Sequence, residues 1–285
     1  MGQFLQLTVL GIAQGAFLLL AALGFSLTRR VEGFLNIAHA EYLSIAAFIT
    51  YFLNERGFHF LLAGLVGIAV TIVVGLLVGK IVFEPIRAYG PAVSLITSVG
   101  VVYVLAGIIQ AIVGTGSFLV TLPRLSPLRF GPVAITAYQG MVVVVAALVT
   151  IATAAFLRYT RLGTAIRIAA LDRYLGASRG VDVDRASNAT WMISAALAGV
   201  AGVVLAVLGA LTTEKGFDQI LIILAVALLA GIGSVATVAV SAFMIGIARE
   251  VSLIWLPSGF RDIIAFGIVI VVLILLPRGL SGRSE

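Results

Sequence analysis

The chain has 285 residues, of which 61% are hydrophobic and only 11% charged, and its mean hydropathy is +1.20. Because soluble domains carry roughly 25% charged residues, this composition excludes a water-soluble protein. The absence of cysteine excludes disulfides and thiolate chemistry, and the net charge of +6 lies mainly beside apolar runs, where it indicates membrane topology and not nucleic-acid binding.

Apolar runs near 20 residues recur along the chain, and this is the helix length that crosses a hydrocarbon core of about 30 Å. The sequence therefore predicts an all-α, polytopic transmembrane helical bundle with about seven full spans. The predicted spans are residues 4–27, 34–53, 60–82, 92–114, 137–157, 188–210 and 261–277. No polar stretch is long enough to form a separate soluble domain, so residues 1–285 are predicted to be a single transmembrane domain.

Three polar residues stand at the start of the second predicted span. Asn36, His39 and Glu41 lie where polar and ionisable groups are costly unless they face a cavity or a partner. On a helix, Asn36 and His39 would be about 60° apart and share an interior face, whereas Glu41 would be about 160° from His39. We predict Asn36 and His39 beside a channel, and Glu41 at a helix contact or an N-terminal helical turn. The alternative is a polar cluster at the membrane interface, satisfied by backbone groups.

The longest polar connection, residues 158–187, carries six arginines against three aspartates. The positive-inside rule places it in the cytoplasm, which predicts an external N-terminus and a cytoplasmic C-terminus. Residues 164–177 are mostly helix formers, so we expect a short amphipathic helix with Ile166, Ala170 and Tyr174 on its apolar side. That side would fill a groove on a partner protein. The alternative is a solvated loop whose arginines only set topology.

The apolar stretch 219–248 is interrupted by Gly231, Gly233 and Ser234. The interruption leaves pieces of about 12 and 14 residues, each short for a span, and a hairpin broken here returns the C-terminal arginines to the cytoplasm. Irregular backbone in a bilayer is tolerated only against protein or a water-lined cavity, so these residues are candidates for the permeation route. Ser234 is expected to cap the second piece. Close packing between helices is the alternative role of the glycines.

Four short patterns, in matching order, resemble the branched-chain amino acid ABC transporter permeases. They are Asn36-Ile-Ala-His39-Ala-Glu41, Phe83-Glu-Pro85-Ile-Arg87, the run from Arg161 to Asp172 followed by Gly180-Val-Asp, and Gly231-Ile-Gly233-Ser234. The resemblance covers essentially the whole chain. Two departures, Ala40 for a usual glycine and Ala236-Thr237 for Pro-Gly, add bulk or restrict the backbone near the predicted pathway.

The resemblance implies the permease subunit of an ATP-binding-cassette importer for branched-chain amino acids or similar small polar solutes, in a bacterial-type inner membrane. A coupling helix at about 163–180 would bind two cytoplasmic ATPases through Arg161, Gly163, Arg167, Asp172, Arg173 and Gly180. The pathway or substrate candidates are Asn36, His39, Glu41, Gly231, Gly233 and Ser234. The other implied partners are a second homologous permease or a second copy of this chain, and an extracytoplasmic substrate-binding protein.

Several chemical signatures are missing from the sequence. It has no phosphate-binding loop of the Gly-x-x-x-x-Gly-Lys-Ser/Thr type and no metal-ligand spacing, so we expect no cofactor or metal on this chain, with ATP and Mg²⁺ on the partner ATPases. We expect no enzymatic activity, since the sequence indicates no convergent nucleophile or carboxylate pair. The alternative function is a secondary transporter or channel for urea, an amide or a carboxylate, working without an ATPase.

Overall fold

The computed structural model describes residues 2–123, 125–131, 133–231, 234–275 and 279–280. Within them the regular structure is helical apart from a short antiparallel hairpin, so the predicted all-α bundle is confirmed. The helices are α1 (Gly2–Glu32), α2 (His39–Glu55), α3 (Phe60–Val78), α4 (Glu84–Ile86), α5 (Pro91–Val113), α6 (Ala137–Tyr159), α7 (Arg161–Leu171), α8 (Arg173–Ser178), α9 (Val183–Leu208), α10 (Lys215–Ala230), α11 (Val235–Val251) and α12 (Arg261–Leu275).

Helix α3 continues into α4 without a loop. A π-helical turn (Gly79–Phe83) precedes α4, and a 3-10 turn (Arg87–Tyr89) follows it. Pro85 lacks an amide hydrogen and its ring clashes with the preceding turn of a regular helix, which accounts for the altered hydrogen bonding around it. Gly90, at φ +92°, ends this run, and Pro91 begins α5 with a backbone angle already suited to a helix.

Six helical segments among the described residues are long and apolar enough to cross a membrane. They are Gly2–Glu32, Phe60–Tyr89, Pro91–Val113, Ala137–Tyr159, Val183–Leu208 and Val235–Ile254. Of the seven predicted spans, the two around α2 and α12 correspond, within the described residues, to helices of 17 and 15 residues. The membrane is therefore crossed by a bundle whose members differ considerably in length.

The break predicted after α10 is present, since α10 ends at Ala230 and α11 begins at Val235. The two helices have 16 and 17 residues, longer than the predicted pieces of about 12 and 14. With its terminal 3-10 turn, α11 is even long enough to span by itself. The predicted boundary at residue 248 was wrong because Arg249 and Glu250 looked like polar flanks, whereas both are buried and ion-paired.

The connection between α5 and α6 contains the antiparallel hairpin. Its strands, β1 (Leu128–Phe130) and β2 (Val133–Ile135), pair with Leu128 opposite Ile135. Gln6 of α1 holds the hairpin, because its Nε2 donates to the Ala134 carbonyl over 2.9 Å and its Oε1 accepts from the Ala134 amide over 2.7 Å. An isolated two-stranded hairpin is marginally stable, so this contact accounts for its formation.

The chain divides into two compact units. The first comprises Met1–Leu23, Leu122–Val149 and Leu221–Glu285, and the second comprises Gly24–Thr121 and Thr150–Ile220. In the first unit, α1 packs closely on α11, since a methyl group on Gly15 would lie 2.9 Å from Phe243 Cα. In the second, α2, α3 and α9 pack against one another. There a methyl group on Gly202 would overlap the Leu43 carbonyl oxygen, so close helix approach depends on a glycine.

Candidate functional site

The segment predicted as one coupling helix at about 163–180 is two short helices, α7 and α8. The Thr160 hydroxyl caps α7 by accepting a hydrogen bond from the Gly163 amide over 2.9 Å. Asp172 ends α7 in an extended conformation and caps α8, its carboxylate accepting from the Leu175 amide over 2.9 Å. The helix is interrupted because the aspartate side chain competes for the amides of the next turn.

Helix α7 is held firmly against its own chain. Ile166, only 1% exposed, belongs to a buried cluster built from the end of α1, α7 and the start of α9. The other members of this cluster are Leu27, Val31, Ala169, Ala186 and Ala189. At the first turn of α7, a methyl group on Gly163 would overlap the Phe156 carbonyl oxygen of α6. The glycine therefore permits a tight corner between α6 and α7.

The apolar side that α7 and α8 leave exposed differs from the predicted one. Ile166 is buried in the cluster, and Ala170 packs against the same cluster. Leu171 and Tyr174 are instead 86% and 89% exposed. The prediction for Ile166 and Ala170 was wrong because the end of α1 and the start of α9 cover the apolar side of α7 within this chain. The break at Asp172 places Tyr174 in a separate helix.

The charged residues predicted for coupling are mostly exposed. Arg161, Arg167 and Asp172 lie on the surface of the segment. The Arg173 side chain is partly buried and pairs with Asp184 of α9, at 2.8 Å between Nη2 and Oδ1. Three of the four predicted charged residues therefore remain accessible, and the fourth ties α8 to α9.

We call the exposed side chains Arg161, Arg167, Leu171 and Tyr174 the α7–α8 surface. Gly180 follows α8 at φ +79°, a left-handed conformation that terminates helices and strains other residues. This surface combines positive charge with exposed apolar groups on a segment fixed to the main bundle. Such a combination suits contact with another protein.

Asn36 and His39 are buried at the start of α2, at 1% and 0% exposure. Asn36 lies in a turn before the helix, so the predicted helical angle between the two does not apply. Ser98 of α5 holds this turn, its hydroxyl accepting from the Ile37 amide over 3.2 Å. The Asn36 amide group makes no hydrogen bond of standard geometry with a described residue, and the Tyr42 phenol lies beside it.

The His39 ring lies where α1, α2 and α9 meet. Its Nδ1 is 3.4 Å from Ser194 Oγ, and Ser194 also donates to the Gly24 carbonyl over 2.9 Å. The Thr28 hydroxyl donates to Ser194 Oγ over 2.7 Å, and Phe25 meets the ring edge-on, with centroids 5.9 Å apart. A methyl group on Gly24 would lie 2.9 Å from His39 Cε1. The imidazole is thus packed and oriented by three helices.

Glu41 lies in the first turn of α2, as one of its two predicted placements required, and it is fully buried. The Ser44 hydroxyl lies beside its carboxylate, but neither carboxylate oxygen has a hydrogen bond of standard geometry to a described residue. The first turn of α10 approaches here, since a methyl group on Gly216 would overlap the Ser44 hydroxyl and lie 2.9 Å from the Ala40 carbonyl. A buried carboxylate without such bonds is costly, which is typical of functional positions in membrane proteins.

The break between α10 and α11 belongs to the first unit. Gly231 has φ +71°, so a glycine is needed for the chain to leave α10 as it does. Ser234 stands at the cap position of α11, but its side chain makes no cap hydrogen bond, and the expected capping role was wrong. The Ser234 carbonyl instead accepts from the Thr237 hydroxyl over 2.7 Å. Gly233 lies outside the described residues.

The residues on other helices that hold the predicted site residues in place are not evident from the sequence. Ser194 is 155 positions from His39, and Ser98 is 61 positions from Ile37. The available signal was a hydroxyl or a glycine inside an apolar span, and such residues more often serve helix packing. For metals, no group of three or more His, Asp or Glu among the described residues is placed to hold an ion.

An apolar helical bundle with an exposed arginine-bearing segment is typical of a membrane transport subunit, and comparison with known families gives the same result. The family described as "Branched-chain amino acid transport system / permease component" matches residues 7–274. The chain belongs to this family. It is accordingly a transport subunit and not an enzyme, and the recognition made from the four short patterns is confirmed.

Curated relatives cover the permease from end to end. The high-affinity branched-chain amino acid transport system permease protein LivH of Escherichia coli is 28% identical over 299 residues, covering 99% of this chain and 96% of the relative. BraD of Pseudomonas aeruginosa, which bears the same description, is 27% identical over 299 residues, covering 99% and 97%. A probable LivH of Methanocaldococcus jannaschii is 26% identical over 284 residues, covering 93% and 88%. No solved structure matches the chain.

The six spanning segments and the family together define a multi-pass membrane protein of the inner membrane. The predicted fold class and the predicted role as a transport subunit follow from the same findings. Orientation, partners and the residues that contact a solute are separate questions.

Proposed function

We propose that this permease is the membrane-spanning subunit of an ATP-binding-cassette importer that moves branched-chain amino acids or similar small polar solutes. LivH and BraD, both described as permeases of high-affinity branched-chain amino acid transport systems, support the substrate class. The α7–α8 surface is the observation that supports ATP hydrolysis by a partner as the energy source. It exposes Arg161, Arg167, Leu171 and Tyr174 on a segment packed against α1 and α9. Because α7 is packed against α1 and α9, movement of a bound ATPase would move these helices with it.

The proposed orientation puts the N-terminus outside and the C-terminus in the cytoplasm. The end of α1 that packs on α7 carries Arg29 and Arg30, and the end of α6 beside Gly163 carries Arg158. Positively charged residues are retained on the cytoplasmic side, so the α7–α8 surface would face the cytoplasm. ATP is available there.

Membership of the permease family supports the proposed partners. Two cytoplasmic ATPases would dock on the α7–α8 surfaces of a pair of permeases, the second being a homologue or another copy of this chain. The ATPases would carry ATP and Mg²⁺, and this chain would bind no cofactor. An extracytoplasmic binding protein would deliver the solute at the opposite end.

The proposed pathway passes the buried polar residues at the start of α2. Asn36 and Glu41 have polar atoms without standard hydrogen bonds to described residues, and a zwitterionic solute offers both an ammonium and a carboxylate to such groups. His39 would act by holding the turn, because its ring is already packed between α1 and α9. Gly231, Gly233 and Ser234 are further proposed pathway residues, because irregular backbone at membrane depth is tolerated only against protein or a water-lined cavity.

A charge-reversal experiment tests the docking proposal. Arg161→Glu combined with Arg167→Glu should abolish co-purification of the ATPases in mild detergent, because both guanidinium groups are exposed and available to a partner. Tyr174→Ala should weaken the same association through lost apolar contact. Mass spectrometry of the purified complex provides the measurement.

The matched control is Arg56→Glu, an exposed reversal just after α2, away from the α7–α8 surface. The control should retain the ATPases at the level of the unmodified chain. Retention of the ATPases by the double reversal, with normal ATP-dependent uptake, would count decisively against the proposed docking surface.

A further inference from the structure

A buried ion pair joins three elements beside α7. Glu32 is the last residue of α1, Arg87 begins the 3-10 turn after α4, and Ser187 lies in the first turns of α9. Arg87 donates to Glu32 Oε2 from Nη2 over 2.6 Å and from Nε over 3.1 Å. Ser187 accepts from Arg87 Nη2 over 2.8 Å and donates to Glu32 Oε1. We call these three residues the Glu32 clamp.

The burial of the clamp makes Glu32 dependent on Arg87. The Glu32 side chain is 2% exposed and the Arg87 side chain 26% exposed. Removing Arg87 would leave the Glu32 carboxylate poorly solvated, whereas Arg87 keeps some contact with solvent when Glu32 is removed. A pocket of about 200 Å³, lined by Glu32, Phe34, Phe83 and Arg87 among others, opens beside the pair. The clamp is therefore anchored on one side and has room to shift on the other.

One side of the clamp adjoins the coupling segment. Ile166 of α7 belongs to the same buried cluster as Val31, immediately before Glu32, and Ala186, immediately before Ser187. The turns of α1 and α9 that receive α7 are thus the turns that carry the clamp. Glu32 and Ser187 are each the next residue after a member of the cluster that receives α7.

The other side of the clamp adjoins the candidate pathway. Phe83 stacks on Trp191 with ring centroids 5.2 Å apart, and Phe34 contacts both rings, at 4.9 and 6.5 Å. Phe34 stands shortly before Asn36 in the turn that leads into α2. The aromatic group therefore connects the elements of the clamp with the buried polar start of α2.

We propose that Glu32, Arg87 and Ser187 are positioning residues for energy coupling: the clamp makes the end of α1, the turn at Arg87 and the start of α9 move as one body when α7 is pushed. The proposal rests on the proposed function, because it requires ATPases that act on the α7–α8 surface. Arg87 and Glu32 would thus link the coupling segment to the pathway residues, although they belong to neither group.

The test is the number of ATP molecules hydrolysed per solute imported, measured with the complete importer in proteoliposomes and radiolabelled leucine. Glu32→Gln and Arg87→Gln should each raise this ratio by about tenfold while the ATPases remain bound. The charge-exchanged double variant, Glu32→Arg with Arg87→Glu, should recover much of the normal ratio. A purely structural role would lower assembly without changing the ratio.

Ser187→Ala provides a second variant that keeps both charges. Ser187→Ala should raise the number of ATP molecules hydrolysed per solute imported, but by less than the charge variants do. If the charge variants fail to assemble, the result for Ser187→Ala tests the proposal by itself. The matched control is Arg185→Gln, two residues away, which removes an exposed pair with Asp182 and should leave the ratio unchanged.

The outcomes separate the two proposals. If the unmodified importer shows ATP-dependent uptake and the assembled Glu32→Gln, Arg87→Gln and Ser187→Ala variants all keep the normal ratio, the clamp proposal is overturned and the proposed function stands. If the charge-exchanged variant is no better than the single variants, the clamp proposal is also overturned. If the unmodified importer needs no ATP, the proposed function fails first.

Discussion

Gly24 positions His39 by the absence of a side chain. A methyl group at this place would lie 2.8 Å from the Ser194 carbonyl oxygen and 2.9 Å from His39 Cε1. Gly24→Ala should therefore lower the free energy of unfolding by about 1–3 kcal/mol, the usual cost of overpacking. Thermal unfolding of the detergent-solubilised chain measures this change, and solute uptake should fall with it because the imidazole must move.

Gly100→Ala in α5 is the matched control, because no described atom lies within 4 Å of a methyl group placed there. Replacing glycine within a helix should leave stability unchanged or raise it by about 0.5–1 kcal/mol. Equal destabilisation by Gly24→Ala and Gly100→Ala would show that the loss of stability does not come from the contact with His39.

Individual residues were predicted better than their surroundings. Asn36, His39 and Glu41 stand out in the sequence because polar groups are rare in apolar spans, and all three are buried. Their neighbours could not be predicted, because Ser194 reaches His39 from another helix across 155 positions. The angle assigned to Asn36 and His39 was inapplicable for a local reason, since α2 begins only at His39.

At the level of helices, the attachment of α7 to the bundle is a testable property. Ile166→Ala should lower the free energy of unfolding by about 2–5 kcal/mol, because its buried side chain fills a space between α1 and α9. Leu171→Ala, at an 86% exposed position in the same helix, should change it by no more than about 0.5 kcal/mol. Chemical denaturation of the purified chain measures both variants. A larger effect at Leu171 than at Ile166 would contradict the described docking of α7.

Helix boundaries show where sequence patterns succeed and fail. Apolar length places α1, α5, α6 and α9 close to their predicted ranges. Charge misled the prediction at the end of α11, where Arg249 pairs with Asp262 at 2.6 Å and Glu250 with Arg261 at 3.3 Å. A buried arginine reads as a span end unless its partner on α12 is known. At Asp172 the opposite error occurred, since one helix was predicted over residues 164–177 and the structure has a break there.

For the whole molecule, the fold class follows from composition and the recognition from four short patterns, while the long-range connections do not. Glu32 and Arg87 are 55 positions apart, and no local periodicity links them. Arg87 appeared in the sequence only as part of a turn resembling the family. The proposed route of energy, from the α7–α8 surface through the Glu32 clamp to the start of α2, therefore depends on tertiary structure.

The proposed function requires that this permease use ATP hydrolysed by other subunits. The most direct test is leucine uptake into proteoliposomes that contain the purified chain, alone or assembled with its co-purifying ATPases and binding protein. The account predicts accumulation only in the assembled system, only with ATP on the side of the α7–α8 surface, and none for the chain alone. Uptake by the chain alone, without ATP or driven by an ion gradient, would contradict it.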